Sequence, residues 1–196
     1  MIGILQIAKD RLAEAANPRG VYVDFTMGKG RDTAFLCSLC PEGRVYAFDV
    51  QESALEQTTA YLGGLGVANA RLILASHDRF AEYVSGPIDG GLFNLGFLPG
   101  GDRSLTTRRE TTLRAVEGAL AALKIGGVLG VAVYPGHEEG RLEGEALQAF
   151  FAGVPKSAAD VFLYRLLNVP DSPYMLVAEK RGPYCLRSSR VRRSPF

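Results

Sequence analysis

The residues with the most chemical promise stand in four short stretches: Asp24-Phe25-Thr26-Met27-Gly28-Lys29-Gly30-Arg31-Asp32-Thr33, Asp49-Val50-Gln51, Ser76-His77, and the run from Asn94 to Asp102. Gly28 and Gly30 follow an apolar run and remove side chains where a ligand would approach the backbone. The helical pattern that opens at Asp32 and Thr33 would aim free N–H groups and the positive end of its dipole at that ligand. A nucleotide-like ligand suits such a turn, and so does a plain strand-to-helix connection. Asp49 ends the next apolar run about twenty positions on, where a carboxylate can accept both ribose hydroxyl protons in a nucleotide-binding βαβ unit. Helix capping by Asp49 or Ser53 is the competing role. Cys37 and Cys40 form a Cys-x-x-Cys, but no second pair or nearby His completes a zinc set, so two semi-buried helical thiols and no metal are expected.

The elements that must position these residues follow a β-α alternation. Ile4, Leu5, Ile7, Ala8, Leu12 and Ala15 recur at helical spacing, and Asn17-Pro18-Arg19-Gly20 breaks the pattern before the first strand at Val21. Strands are expected at 44–49 and 70–75, and at Ile88 running into a long loop of Gly, Pro, Asn and Asp. Loops of this make often carry function. Thr106 or Thr107 is expected to cap a helix that ends at Lys124-Ile125-Gly126-Gly127, ahead of a strand from Val128 to Tyr134. That strand does not alternate, as expected where both faces are buried in a parallel sheet. A helix after His137 leads to two close strands, 162–168 and 174–180, which should pair antiparallel. The expected fold is therefore α/β, with seven strands.

At 196 residues the chain suits one domain, set at 1–181, with an Arg-rich tail at 182–196. The tail reads as a disordered terminus first and a phosphate-contacting arm second. Hydrophobic residues make up 47% and charged residues 22%, and no apolar run reaches the roughly 18 residues of a membrane span. No membrane partner is expected, and the absence of a secretory pattern at the start makes the cytoplasm the default location. The formal charge of +1 excludes a globally basic nucleic-acid binder, so any such contact must be local. Monomer and homodimer are both open.

Seven strands with a terminal hairpin, a glycine turn after the first and an acid ending the second resemble the class I S-adenosylmethionine-dependent methyltransferases. The resemblance spans 21–181 and implies a doubly wound, Rossmann-like sheet of order 3-2-1-4-5-7-6, with the cofactor over the C-terminal ends of strands one to four. Asp24 to Thr33, Ala47-Phe48-Asp49-Val50-Gln51, Ser76-His77, Phe93 to Asp102 and Tyr134-Pro135-Gly136-His137 together resemble the bacterial and plastid rRNA methylase family. Members of that family are associated with methylating the 5-aminomethyl group of 2-thiouridine at the tRNA wobble position. The first glycine of the usual methyltransferase motif is Thr26 here, and Lys29 and Arg31 stand where the family more often has Asn and His.

The resemblance implies S-adenosylmethionine as cofactor and an RNA substrate, with tRNA first and rRNA second. Asp24, Thr26, Met27, Gly28, Lys29, Gly30, Asp32 and Thr33 would surround its methionine part, Asp49 and Gln51 its ribose, Ser76 and His77 its adenine, with Asn94 nearby. Methyl transfer from a sulfonium is an in-line displacement, so positioning should dominate. Asp102 and His137 are candidates to accept the amine proton, Tyr134 to orient and Asn94 to accept an N–H. His137 as a helix N-terminal residue and Asp102 as a turn residue are the competing roles. Phe97, Pro99, Gly100 and Gly101 would shape the acceptor pocket, and Arg103, Arg108 and Arg109 would meet phosphates. Small-molecule methylation, a nicotinamide-dependent reductase and a non-catalytic RNA-binding module are the alternatives. In the reductase the third fingerprint glycine would fall at Thr33.

Overall fold

Alternation along the strands decides what each face of the sheet meets. In β1 (Val21–Asp24), Tyr22 joins the apolar cluster on one face and Val23 the cluster on the other. The structure is a computed structural model that describes residues 3–96, 107–169 and 171–186. In chain order α1 (Ile4–Glu14) precedes β1, followed by α2 (Arg31–Leu39), β2 (Arg44–Asp49), α3 (Glu52–Gly64) and β3 (Ala70–Leu74). A 3-10 turn at His77–Glu82, β4 (Ile88–Asn94), α4 (Arg109–Ala122), β5 (Leu123–Val133), α5 (Glu138–Ala152), β6 (Ala159–Tyr164) and β7 (Tyr174–Lys180) complete it.

The strands form one sheet of order β3-β2-β1-β4-β5-β7-β6, parallel through β5, with β7 antiparallel to both β5 and β6. This is the sheet expected from the resemblance. Ala8, Leu12, Leu36 and Cys37 of α1 and α2 close one face over Tyr22, Val45 and Leu92. Phe80, Val116, Leu120, Leu147 and Phe151, from the 3-10 turn, α4 and α5, close the other over Phe25, Phe48, Phe93 and Leu129. Phe25 stacks on Phe93 with ring centroids 4.1 Å apart. All the loops that carry site residues therefore leave the sheet at one end, the C-terminal end of the parallel strands.

Three boundaries differ from expectation. β5 begins at Leu123, five residues early, because Leu123 pairs with Ile88 and the Lys124 ammonium sits 2.7 Å from Asp89 of β4. β6 spans 159–164 rather than 162–168: β7 starts at Tyr174, so the antiparallel register runs out at Tyr164 opposite Met175. Leu166 and Leu167 are accordingly exposed. α4 is capped by neither threonine; its N-cap is Arg108, and Thr106 lies outside the described residues. Among the described residues no helix is long and apolar enough to cross a membrane.

Candidate functional site

The turn after β1 is built by backbone geometry that glycine permits. Gly28 and Gly30 have φ of 53° and 79°, and Gly30 is the left-handed N-cap of α2. A Cβ at Gly30 would also stand 2.8 Å from Thr58 Cγ2, whose side chain donates through Oγ1 to the Gly28 carbonyl at 3.0 Å. Asp49 fixes the turn from β2: Oδ2 accepts the Gly28 N–H at 3.0 Å and Oδ1 the Gln51 N–H at 3.1 Å. A carboxylate has about four lone-pair directions, so roughly one on each oxygen stays open to a ligand.

Beneath the turn, Asp24 is fully buried. It accepts the Thr33 hydroxyl at 2.6 Å and the Thr26 N–H at 3.1 Å, and burial together with the nearby Asp32 charge pushes its carboxyl up to about 7. His77 is buried as well, its Nδ1 at 3.2 Å from the Phe25 carbonyl. Since a carbonyl only accepts, Nδ1 carries the proton. Nε2 is then a buried acceptor with no partner among the described residues, on a ring that burial holds below the usual histidine range and so keeps neutral.

Across the cleft, Asn94 at the end of β4 is fixed at three atoms. Its N–H donates to Thr26 Oγ1 at 2.7 Å, its Nδ2 to Asp32 at 3.2 Å, and its Oδ1 accepts the Tyr134 hydroxyl at 2.9 Å. Burial raises the Tyr134 hydroxyl above its ordinary range, so it stays a donor. Lys9 of α1 pairs with Asp32 at 2.7 Å. Behind this row stands Glu143 of α5, 2% exposed, which accepts Thr112 Oγ1 at 2.6 Å and Thr107 Oγ1 at 3.0 Å. Thr107 and Gly96 exchange two hydrogen bonds of 3.0 Å, so Glu143 ties down both ends of the segment between them. Burial raises the Glu143 carboxyl as well.

These walls enclose a cavity of about 930 Å³. The structure brings Thr26, Gly28, Lys29, Asp32, Asp49, Gln51, Ser76, His77, Asn94, Arg108, Tyr134 and His137 to its lining, all expected from sequence. Asp24, Met27, Gly30 and Thr33, also expected at the cofactor, are buried and are not on the lining. Arg109 is also off the lining, paired instead with Glu110 at 2.7 Å. His137 caps α5, its Nδ1 accepting the Gly140 N–H at 3.1 Å. Phe97, Pro99, Gly100, Gly101, Asp102 and Arg103 lie outside the described residues, as do Arg187, Arg190, Arg192 and Arg193 of the tail. Cys37 and Cys40 are buried free thiols, pushed up to about 12 and about 11 mainly by burial.

Sequence reasoning missed Lys9, Thr58, Thr107 and Glu143. Glu143 had a usable signal, since it shares the buried face of α5 with Leu147 and Phe151, four and eight residues on. Lys9 had none, for its role depends on where α1 docks.

Residues 45–180 match the family model described as "Putative rRNA methylase". A chloroplastic tRNA (mnm5s2U34)-methyltransferase of Arabidopsis thaliana is 34% identical over 171 residues, 81% of this chain and 62% of that protein, so the chain spans under two thirds of its length. A solved "putative rRNA-methylase" from Clostridium thermocellum superposes with a TM-score of 0.89 at 34% identity, covering 92% of this chain and 98% of the other. A "putative methyltransferase" from Streptococcus mutans in complex with SAH gives a TM-score of 0.85 at 37% identity, covering 92% and 99%.

Proposed function

The chain belongs to the rRNA methylase family, and from that premise we propose that it is an S-adenosylmethionine-dependent RNA methyltransferase whose acceptor is the 5-aminomethyl group of 2-thiouridine at the tRNA wobble position. The Arabidopsis relative is named for the methylated form of that nucleoside, mnm5s2U34, and the Streptococcus structure contains SAH. The observation that carries the proposal is the placement of Asn94, locked between Asp32 and Tyr134 where the glycine-turn wall meets the opposite wall of one cavity.

The residues present fit the cofactor. His77 Nε2, an orphaned buried acceptor on the cavity wall, suits an exocyclic amine such as that of adenine, with Ser76 beside it. The open lone pairs of Asp49 suit two ribose hydroxyls, with Gln51 adjacent. Thr26, Gly28 and Lys29, the last through its backbone, would surround the methionine part, with Asp32 held in place by Lys9. When bound, S-adenosylmethionine supplies an electrophilic methyl group on a sulfonium.

The protein's own task is to hold the acceptor amine in line. Asn94 Oδ1 accepts one hydrogen bond from the Tyr134 hydroxyl and keeps a second lone pair for an amine N–H, which would turn the nitrogen lone pair away from Asn94 and toward the methyl donor. Asp102 remains the proposed proton acceptor. Capping of α5 occupies His137 Nδ1, which takes that atom out of proton transfer. A cytoplasmic location and a tRNA partner go with this proposal. Nucleoside mass spectrometry of tRNA from a strain lacking the gene should show 5-aminomethyl-2-thiouridine in place of its methylated product. Unchanged wobble nucleosides would remove the acceptor assignment.

A further inference from the structure

Among the described residues, three cations on the cavity lining have no counter-ion. Lys29, Arg31 and Arg108 are exposed and make no hydrogen bond or ion pair with any described side chain, whereas Lys9 is matched to Asp32, Arg109 to Glu110 and Arg114 to Asp78. Among the described residues the lining carries four cations, Lys9 included, against two carboxylates, Asp32 and Asp49. That is a local charge of +2 in a chain whose whole formal charge is +1.

Their placement costs helix stability. Arg31 is the first residue of α2 and Lys29 stands just ahead of its N-cap, while Arg108 is the N-cap of α4 and makes no side-chain capping bond. A cation at a helix N-terminus opposes the dipole, typically by about 0.3–1 kcal/mol, where an acid or a Ser would support it. Two helices thus present to one mouth their N-terminal ends and three cations that no described carboxylate compensates, an arrangement that attracts a multiply charged anion. S-adenosylmethionine does not supply that charge: with a sulfonium, an ammonium and one carboxylate it is itself net positive.

We propose that Lys29, Arg31 and Arg108 form a phosphate-binding rim that grips the RNA backbone on either side of the target nucleotide, delivering its base edge to Asn94. This rests on the RNA methyltransferase reading above. It divides Lys29 in two, the backbone facing the cofactor and the ammonium facing the RNA. Contacts of this kind set register and orientation without reading sequence.

The test is fluorescence anisotropy of fluorescein-labelled cellular tRNA across a salt series, for wild type and the triple variant Lys29→Ala, Arg31→Ala, Arg108→Ala, with SAH calorimetry on the double variant Arg31→Ala, Arg108→Ala alongside. Each lost phosphate contact lowers the slope of log affinity against log salt by roughly 0.7–0.9, so a fall of about two to three is expected. Affinity at low salt should fall at least about tenfold, while SAH affinity stays within about twofold. An unchanged salt slope would overturn the rim and leave the methyltransferase reading standing. A tenfold loss of SAH affinity with an intact slope would reassign the cations to the cofactor and overturn it equally. If wild type binds neither tRNA nor ribosomal RNA, the reading beneath the proposal fails with it.

Discussion

The two walls of the cavity are made in different ways. The donor wall, at the ends of β1, β2 and β3, is a set of short contiguous motifs: Thr26 to Arg31, Asp49 to Gln51, and Ser76-His77. Its central bonds run to backbone N–H groups, Asp49 to Gly28 and Gln51, Asp24 to Thr26. The acceptor wall, at the ends of β4 and β5, is a set of side-chain pairs far apart in the chain: Asn94 with Tyr134 and Asp32, Thr107 and Thr112 with Glu143. A wall tied to backbone is preformed as soon as the sheet forms. A wall of side-chain pairs depends on how α1, α4 and α5 dock, and each member can be removed without disturbing the strand beneath it. The comparison implies that substitutions on the donor wall should act on cofactor affinity, and those on the acceptor wall on transfer or on stability.

The largest expected effect is at Asp49. Asp49→Ala removes two hydrogen bonds to a charged acceptor at roughly 1.5 kcal/mol or more each, so SAH affinity should fall about 100-fold by calorimetry. A loss under threefold would break the donor wall's claim. Asn94→Ala should lower the single-turnover methyl-transfer rate by about 30-fold with SAH affinity within about threefold, since misplacement of an acceptor by an ångström costs on the order of 100-fold. Equal losses in rate and affinity would merge the two walls into one.

Stability separates them further. Gly30→Ala should destabilise by about 2 kcal/mol in urea unfolding, because the φ of 79° and the 2.8 Å approach to Thr58 both oppose a Cβ. Glu143→Ala should cost about 1–2 kcal/mol, leaving the Thr107 and Thr112 hydroxyls without their acceptor, and should raise the KM for RNA more than that for cofactor. Unchanged stability would deny Glu143 its role behind the wall.

Stability should also depend on pH. Asp24 keeps its proton in the fold up to about 7 but releases it near 3.8 when unfolded, so across that window the folded protein binds more protons. Stability should therefore fall as pH rises from about 4 to about 7, and Asp24→Asn should flatten that slope in thermal melts. A stability that rises across the window in the Glu143→Gln variant would contradict it.

Legibility in the sequence follows the same division. Gly28, Gly30 and Asp49 were readable because strand, turn and acid follow one another at fixed spacing, and the sheet order came with the resemblance they supported. Even there, spacing did not separate residues that line the cavity, such as Thr26, from those like Thr33 that buttress it, since one residue's shift along a helix decides which way a side chain turns. On the acceptor wall Asn94 and Tyr134 were named singly, but their mutual bond and the tie to Asp32 exist only once β5 lies beside β4. Lys9 was invisible for the same reason. The early start of β5 was hidden because Gly126-Gly127 reads as a helix stop, while the bond of Lys124 to Asp89 is tertiary.

The most direct test is a single-turnover assay with methyl-labelled S-adenosylmethionine and tRNA that carries 5-aminomethyl-2-thiouridine, followed by nucleoside analysis. One labelled nucleoside is expected, the methylaminomethyl product at the wobble position. Label on any other nucleoside, or no transfer by protein that binds SAH normally, would contradict it.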